Sequence, residues 1–293
     1  MRMSRLGMST VGGDGPAVPA DRLTGEYVSN ANPVIIGGCG RSGTTLLRVM
    51  LDSHRNVCCG PESELFLPKL IRPQRLARYF DVPPAEFERL YRGVASRGEF
   101  IDLFFASYCH RTDKRRWGEK TPRNVTRLQY IFTLFPRARF INVIRDGRDV
   151  VCSLRTHPRY KVIDGRLVPA NTRKPLEECI TRWVHDVEAS RPFWTDPRYM
   201  EVRYEDLVDD PGATLRRLLR FIDEPWDERM LRYHEVDSNS RDVTKFPQNP
   251  EATRPLTPDS IGRWQWELSA KELATFRRLA GSLLAELGYA TKY

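Results

Sequence analysis

The chain has 293 residues, 40% of them hydrophobic and 29% charged, which excludes global disorder and suits one large domain or two small ones. No window comes near the roughly 18 uninterrupted apolar residues of a membrane helix, so integral membrane association is not expected. Lys plus Arg number 47 against 38 Asp plus Glu, and the resulting net charge of +9 favours anionic partners such as phosphate-bearing small molecules, nucleic acid or a membrane surface.

Residues 1 to about 30 are interrupted by Gly12, Gly13, Gly15, Pro16 and Pro19 and lack the apolar run of a signal peptide, so they read as a flexible tail ahead of one domain over 31–293. Pro33 to Gly37 is a short apolar run bounded by turn residues, a buried strand. A glycine-rich loop, Gly38 to Thr45, follows, and then the apolar residues Leu46, Leu47, Val49, Met50 and Leu51 of a helix. Strand, glycine loop and helix make the geometry of a phosphate cradle. Residues 65–110 read as mostly helical, and Val125 to Phe135 as an amphipathic helix stopped by Pro136. Arg139 to Ile144 is a second buried strand, running into the turn at Arg145-Asp146-Gly147 and a helix from Val150. Tyr199 to Tyr204 is a third strand, again followed by helix, and Ala270 to Leu287 is an amphipathic helix ending at Gly288. Two stretches, about 155–175 and 237–259, read as loops. Strands alternating with helices predict an α/β fold, a single P-loop-like domain with a central parallel sheet flanked by helices. Six cysteines (Cys39, Cys58, Cys59, Cys109, Cys152, Cys179) form no CxxC pair and read as reduced, buried thiols, which implies a cytoplasmic location.

The glycine loop departs from a nucleoside triphosphate site. Gly38 and Gly43 have the Walker A separation, but Thr44 stands where that pattern has its lysine, and the loop carries Arg41 instead. Gly40-Arg41-Ser42-Gly43-Thr44-Thr45-Leu46 resembles the 5′-phosphosulfate loop of the sulfotransferases that use 3′-phosphoadenosine-5′-phosphosulfate (PAPS). Further motifs of that family follow in order. Arg145 at a strand end with Ser153 eight residues on is similar to the pair that holds the donor's 3′-phosphate, a role suited to a guanidinium fork. Lys120, in Gly118-Glu119-Lys120-Thr121-Pro122, matches the lysine that bridges the sulfate and the leaving phosphate oxygen. Tyr204, in Tyr204-Glu205-Asp206-Leu207, matches the tyrosine at the adenine. Gly262-Arg263-Trp264 resembles a Gly-x-Trp element, but the Arg-Lys-Gly phosphate clamp that precedes it in the cytosolic branch is replaced by Thr257, Pro258 and Asp259. Either Arg254 or Arg263 substitutes, or the clamp is missing.

The resemblance implies donor contacts from Arg41, Ser42, Gly43, Thr44, Thr45, Arg145, Ser153 and Tyr204, with adenosine 3′,5′-bisphosphate (PAP) as product and no metal. Sulfuryl transfer needs a base for the acceptor proton and cations on the transferring group. The cytosolic branch takes a histidine soon after its lysine, and none occurs here. The tyrosylprotein branch takes a glutamate, and the spacing of Glu62 from Arg41 resembles it closely. Glu62 is therefore the expected base, with Arg41 and Lys120 as catalytic cations and His54 as the rival base. That branch has an arginine, used for acidic peptides, where this chain has Glu64. The expected acceptor is consequently a hydroxyl on a small molecule, glycan or lipid, with a peptide tyrosine as the alternative.

A P-loop nucleotide kinase would leave the missing lysine and the Arg145/Ser153 pair unexplained. A non-catalytic nucleic-acid or nucleotide-binding protein is the other alternative, but the arginines are spread along the whole chain and no nucleic-acid motif stands out. Residues 65–110, 155–175 and 237–259 are expected to form the acceptor pocket, with Trp183, Trp194 and Phe246 lining it or, more simply, belonging to the core. A homodimer is the common default for a soluble oligomer.

Overall fold

The computed structural model describes residues 23–157, 159–163, 166–170, 173–236 and 254–290. Phe246, most of the 237–259 loop and residues 1–22 lie outside these. In chain order the elements are β1 (Val34–Gly38), α1 (Thr44–Asp52), β2 (Val57–Cys59), α2 (Pro73–Phe80), α3 (Pro84–Arg92), α4 (Arg97–Arg111), β3 (Arg116–Lys120), α5 (Leu128–Leu134), β4 (Arg139–Ile144), α6 (Gly147–Thr156), β5 (Arg159–Ile163), β6 (Arg166–Ala170), α7 (Leu176–Glu188), β7 (Tyr199–Arg203), α8 (Tyr204–Asp209), α9 (Pro211–Ile222), α10 (Trp264–Glu267) and α11 (Ala270–Glu286).

Five strands form one sheet in the order β2-β3-β1-β4-β7, every pairing parallel. Such a sheet must be covered on both faces, which is why β1 is apolar throughout and fully buried. Its side chains alternate between two layers. Ile35 joins an aromatic cluster around Phe80, Phe100, Phe104 and Phe105, while Val34 and Ile36 face Leu47, Leu51, Leu215 and Leu219 of α1 and α9. A third cluster binds α6, α7 and α11, with Trp183 against Phe276 at 5.8 Å between ring centres. Trp183 is thus core, and Trp194 packs against the core edge.

Three expectations are corrected. The stretch 155–175 is not a loop alone: β5 and β6 pair antiparallel, Ile163 opposite Arg166. The intervening Asp164-Gly165 is a strong hairpin signal in its own right. The reduced-thiol reading fails for Cys58 and Cys109, which form a disulfide between β2 and α4, while Cys39, Cys59, Cys152 and Cys179 are free and buried. Residues 23–30, assigned to the tail, are tied to the domain. The Gly25 and Ser29 amides donate to the Ala95 and Leu134 carbonyls at 3.0 and 2.8 Å, and the Tyr27 hydroxyl donates to Asp102 at 2.8 Å. Asp102 also accepts from Ser29 and from the Trp117 indole, so this one carboxylate gathers the segment onto α4 and β3.

The disulfide closes a separation of 51 residues. Cys58→Ala with Cys109→Ala is expected to lower the unfolding free energy by about 2–4 kcal/mol, read from denaturant titrations. A reductant should lower the melting temperature of the parent protein and leave that of the double variant unchanged.

Candidate active site

The site is built on the carboxyl edge of the sheet, where a parallel arrangement brings successive strand ends together. Three neighbouring strands deliver it: the glycine loop after β1, Lys120 at the end of β3, and Arg145 just beyond β4. The loop turns sharply, Arg41 at φ 74° and Gly43 at φ 97°. At Gly43 a Cβ would stand 2.3 Å from the Tyr204 ring, so glycine is required for space as well as for backbone conformation. Thr44 and Thr45 then open α1, whose first turn holds no acidic residue.

Two cavities meet on this loop. The first, about 350 Å³, is bounded by Arg41, Gly43, Thr44, Thr45, Arg145, Ser153 and Tyr204, so seven of the eight expected donor-binding residues face one space. The Arg41 Nε donates to the Ser153 hydroxyl at 3.0 Å. Arg145 donates to the Arg41 carbonyl at 3.0 Å and to the Ser260 carbonyl, and its guanidinium lies 4.5 Å from the Tyr204 ring centre. Ser42 lines neither cavity. Its hydroxyl is buried and, like the Nε of Arg145, makes no hydrogen bond among the described residues. Unsatisfied buried donors beside a glycine cradle fit an anionic ligand of phosphate type.

The outer wall of this cavity comes from residues 254–263, among them Arg254 and Arg263. Asp149 of α6 holds that wall, accepting from the Gly262 amide at 2.8 Å and the Trp264 amide at 3.0 Å, and burial pushes its carboxyl up against the pull of those two donors. Arg148 lies 3.8 Å from the Trp264 ring centre. The Gly-x-Trp element is therefore a latch on α6, and both arginines considered as substitutes for the missing clamp stand at the cavity.

The second cavity, about 280 Å³, shares Arg41, Thr44 and Thr45 with the first and adds Glu62 and Lys120. Lys120 is 2% exposed; its ammonium donates to Glu62 at 2.5 Å and to the Thr45 hydroxyl at 3.1 Å. A buried cation demands such partners. Glu62 is more open, with 37% of its side chain exposed toward the cavity mouth. His54 is excluded as a base: it is fully buried, with one ring nitrogen bonded to the Pro225 carbonyl and the other accepting from the Asn56 amide.

Of the stretches expected to form the acceptor pocket, 65–110 contributes Arg75 and Tyr79 and 155–175 contributes His157 and Lys174, whereas Arg48 of α1 and Arg182 of α7 escaped sequence reasoning. Among the described residues Arg48, Arg75, Lys174 and Arg182 bring the cations of this cavity to six, against Glu62 as its single carboxylate. Glu64, in the left-handed region at φ 60°, grips Arg75 at 2.9 Å and Lys69 at 3.1 Å. Burial pushes the Glu64 carboxyl up, but the two cations outweigh it and hold it below the usual carboxylate range. Among the described residues no cluster of His, Cys, Asp and Glu is arranged to hold a metal ion, and no helix is long and apolar enough to cross a membrane.

Residues 33–228 match the profile of the sulfotransferase family. A protein-tyrosine sulfotransferase of Drosophila melanogaster is 28% identical over 268 residues, covering 87% of this chain and 51% of its own length, so the chain spans about half of that relative. The sulfotransferase domain from the curacin biosynthetic pathway superposes with a TM-score of 0.67 at 18% identity, over 89% of this chain and 99% of that one. A mouse sulfotransferase solved with PAP superposes with a TM-score of 0.52 at 11% identity, over 89% and 88% of the two chains. The expected cytoplasmic location is withdrawn, because the relatives matched in sequence are protein-tyrosine sulfotransferases rather than the cytosolic branch. The Cys58–Cys109 bond is also of a kind that persists in oxidising compartments. With a profile match that covers more than half of its length and takes in the whole parallel sheet, the chain belongs to the sulfotransferase family.

Proposed function

We propose that the protein transfers a sulfuryl group from PAPS to the phenolic hydroxyl of a tyrosine in an acidic peptide segment. The observation that carries this reading is the second cavity, where six cations surround one carboxylate beside Lys120. Arg75 is paired with Glu64 and Arg182 with Asp186, yet among the described residues the cavity lining itself still carries more cations than carboxylates, a balance that suits an acidic acceptor better than an uncharged one. The peptide reading therefore replaces the expectation of a small-molecule, glycan or lipid acceptor, and the protein-tyrosine sulfotransferase relatives support it. The arginine missing at position 64 has a counterpart in Arg75, carried into the same cavity by Glu64.

The loop amides, Thr44 and Thr45 cradle the phosphosulfate at the start of α1, where the helix dipole favours an anion. Arg145 and Ser153 hold the 3′-phosphate and Tyr204 the adenine. PAP is the nucleotide named in the mouse structure. Glu62 accepts the acceptor's hydroxyl proton as its oxygen attacks sulfur in line with the leaving phosphate. Arg41 and Lys120 stabilise charge on the sulfuryl oxygens and on the departing phosphate oxygen. The assignment of residues 31–293 to one domain belongs to the same proposal.

Glu62→Gln and Lys120→Ala are expected to lower kcat by about 10²–10³; PAP affinity, read by calorimetry, stays within a few-fold in Glu62→Gln and falls in Lys120→Ala, which loses a charged contact to the 5′-phosphate. A Glu62→Gln enzyme with full kcat would remove Glu62 as the base. Arg145→Ala should weaken PAP binding by about 1.5–3 kcal/mol, the contribution of a charged hydrogen bond. Gly43→Ala should abolish PAP binding, since its Cβ and Tyr204 cannot share one place. Arg75→Ala should raise KM about 10-fold for an acidic tyrosine peptide, the scale of one charged contact, and leave KM for a neutral phenol unchanged. Equal effects on both acceptors would remove the acidic segment from the proposal.

A further inference from the structure

We infer that Glu119 is a positioning residue for sulfuryl transfer, clamping the loop that carries Glu62 onto the strand that carries Lys120. The inference rests on the roles proposed above for Glu62 and Lys120 and is independent of the acceptor.

The sheet itself leaves the task open. Pairing between β2 and β3 runs from Val57 opposite Arg116 to Cys59 opposite Gly118 and ends there. The next residue on β3 is Glu119, and its side chain continues the connection where the backbone ladder stops. One carboxylate oxygen accepts from the Ser63 amide at 3.2 Å, the Ser63 hydroxyl at 2.8 Å and the Thr121 hydroxyl at 2.7 Å. The other accepts from the Asn124 side-chain amide, which also donates to the Ile36 carbonyl of β1 at 3.3 Å. The Thr121 hydroxyl in turn accepts from the Glu64 amide at 3.1 Å, and the Ser63 hydroxyl from the Leu65 amide at 3.1 Å. Three consecutive amides after Glu62 are thus anchored on β3 through Glu119 or through the groups it holds.

The residue type is specific to this work. Glu119 is completely buried and no cation neutralises it among its hydrogen-bond partners, an arrangement that is costly unless every lone pair is used. Burial pushes the Glu119 carboxyl up while the hydrogen bonds from Thr121, Asn124 and Ser63 pull it down; an ionised carboxylate is all acceptor and can take these four donors at once. A glutamine would turn an NH₂ toward the NH₂ of Asn124. Lys120 follows Glu119 directly and points to the opposite face of the strand, toward Thr45 and Glu62. The clamp therefore sets the height of Glu62 over Lys120, and a misplacement of about 1 Å at a reacting group can cost about 10²-fold in rate.

The test uses the full chain with Glu119→Gln and, as a milder variant that keeps the carboxylate, Ser63→Ala. Three quantities are read: kcat with PAPS and a tyrosine peptide, PAP affinity by calorimetry, and amide hydrogen exchange over residues 60–66 against the rest of the sheet. Glu119→Gln is expected to lower kcat about 10- to 100-fold, to leave PAP affinity within about 2-fold, and to speed exchange in 60–66 alone. Ser63→Ala should do the same more weakly, and the double variant should be no worse than Glu119→Gln. Unchanged kcat and exchange would overturn the inference. So would a parallel loss of kcat, PAP affinity and protection throughout the sheet in both variants, because the carboxylate would then serve only the fold. Should the unaltered protein transfer no sulfuryl group, the proposed function fails, and exchange in 60–66 still decides the clamp: if it matches the unaltered protein in both variants, the clamp is absent.

Discussion

Everything at the site depends on β1 lying between β3 and β4 in parallel register. Ile36 pairs with Lys120 and Gly38 with Val143, so the glycine loop, the lysine and Arg145 leave the sheet at one edge and at one height. No residue of the loop contacts anything useful without this alignment. The register is itself enforced by burial: β1 is apolar on both faces, and a slip would put its residues opposite partners whose side chains address the wrong layer. The hydrophobic order of three short segments thus sets the spacing of groups that are charged.

Those charges are managed by pairing rather than by exposure. Lys120 is buried against Glu62, Arg145 donates to two backbone carbonyls and faces the Tyr204 ring, and Arg75 is held by Glu64. Each cation arrives in a fixed place before any ligand does, which is the condition for electrostatic stabilisation without reorganisation. Among the described residues the second cavity's lining is richer in cations than in carboxylates, and the net charge of +9 alone says little about where it falls.

The sheet and the phosphate loop were legible because each is encoded in a contiguous run. An apolar stretch, a glycine loop and a helix over residues 33–52 can be read without knowing what surrounds them. Arg145 and Ser153 were legible only through the family resemblance; they lie eight residues apart, across the turn into α6, and line one cavity. The features that escaped depend on how distant elements pack. Cys58 and Cys109 are 51 residues apart, and only the seating of α4 beside β2 makes them neighbours. Arg182 sits in α7, an ordinary amphipathic helix, and nothing in it marks the face that reaches the cavity. The β5–β6 hairpin is a different case: its charged residues hide the strand pattern, although Asp164-Gly165 signals the turn.

The two departures from the family pattern yield to the same physical argument. A cation is needed at a point in space, and the chain position that supplies it is free to vary. Glu64 stands where the tyrosylprotein pattern has an arginine, yet its carboxylate, turned by a left-handed backbone, fixes Arg75 at the second cavity. The Arg-Lys-Gly run of the cytosolic branch is absent, yet Asp149 latches the backbone of Gly262 and Trp264, Glu267 holds the Arg263 guanidinium at 2.7 Å and the Tyr233 hydroxyl donates to the Arg254 carbonyl, so that both arginines stand at the wall of the first cavity. In both places a carboxylate that lines neither cavity, Glu64 or Glu267, holds a guanidinium at the cavity wall.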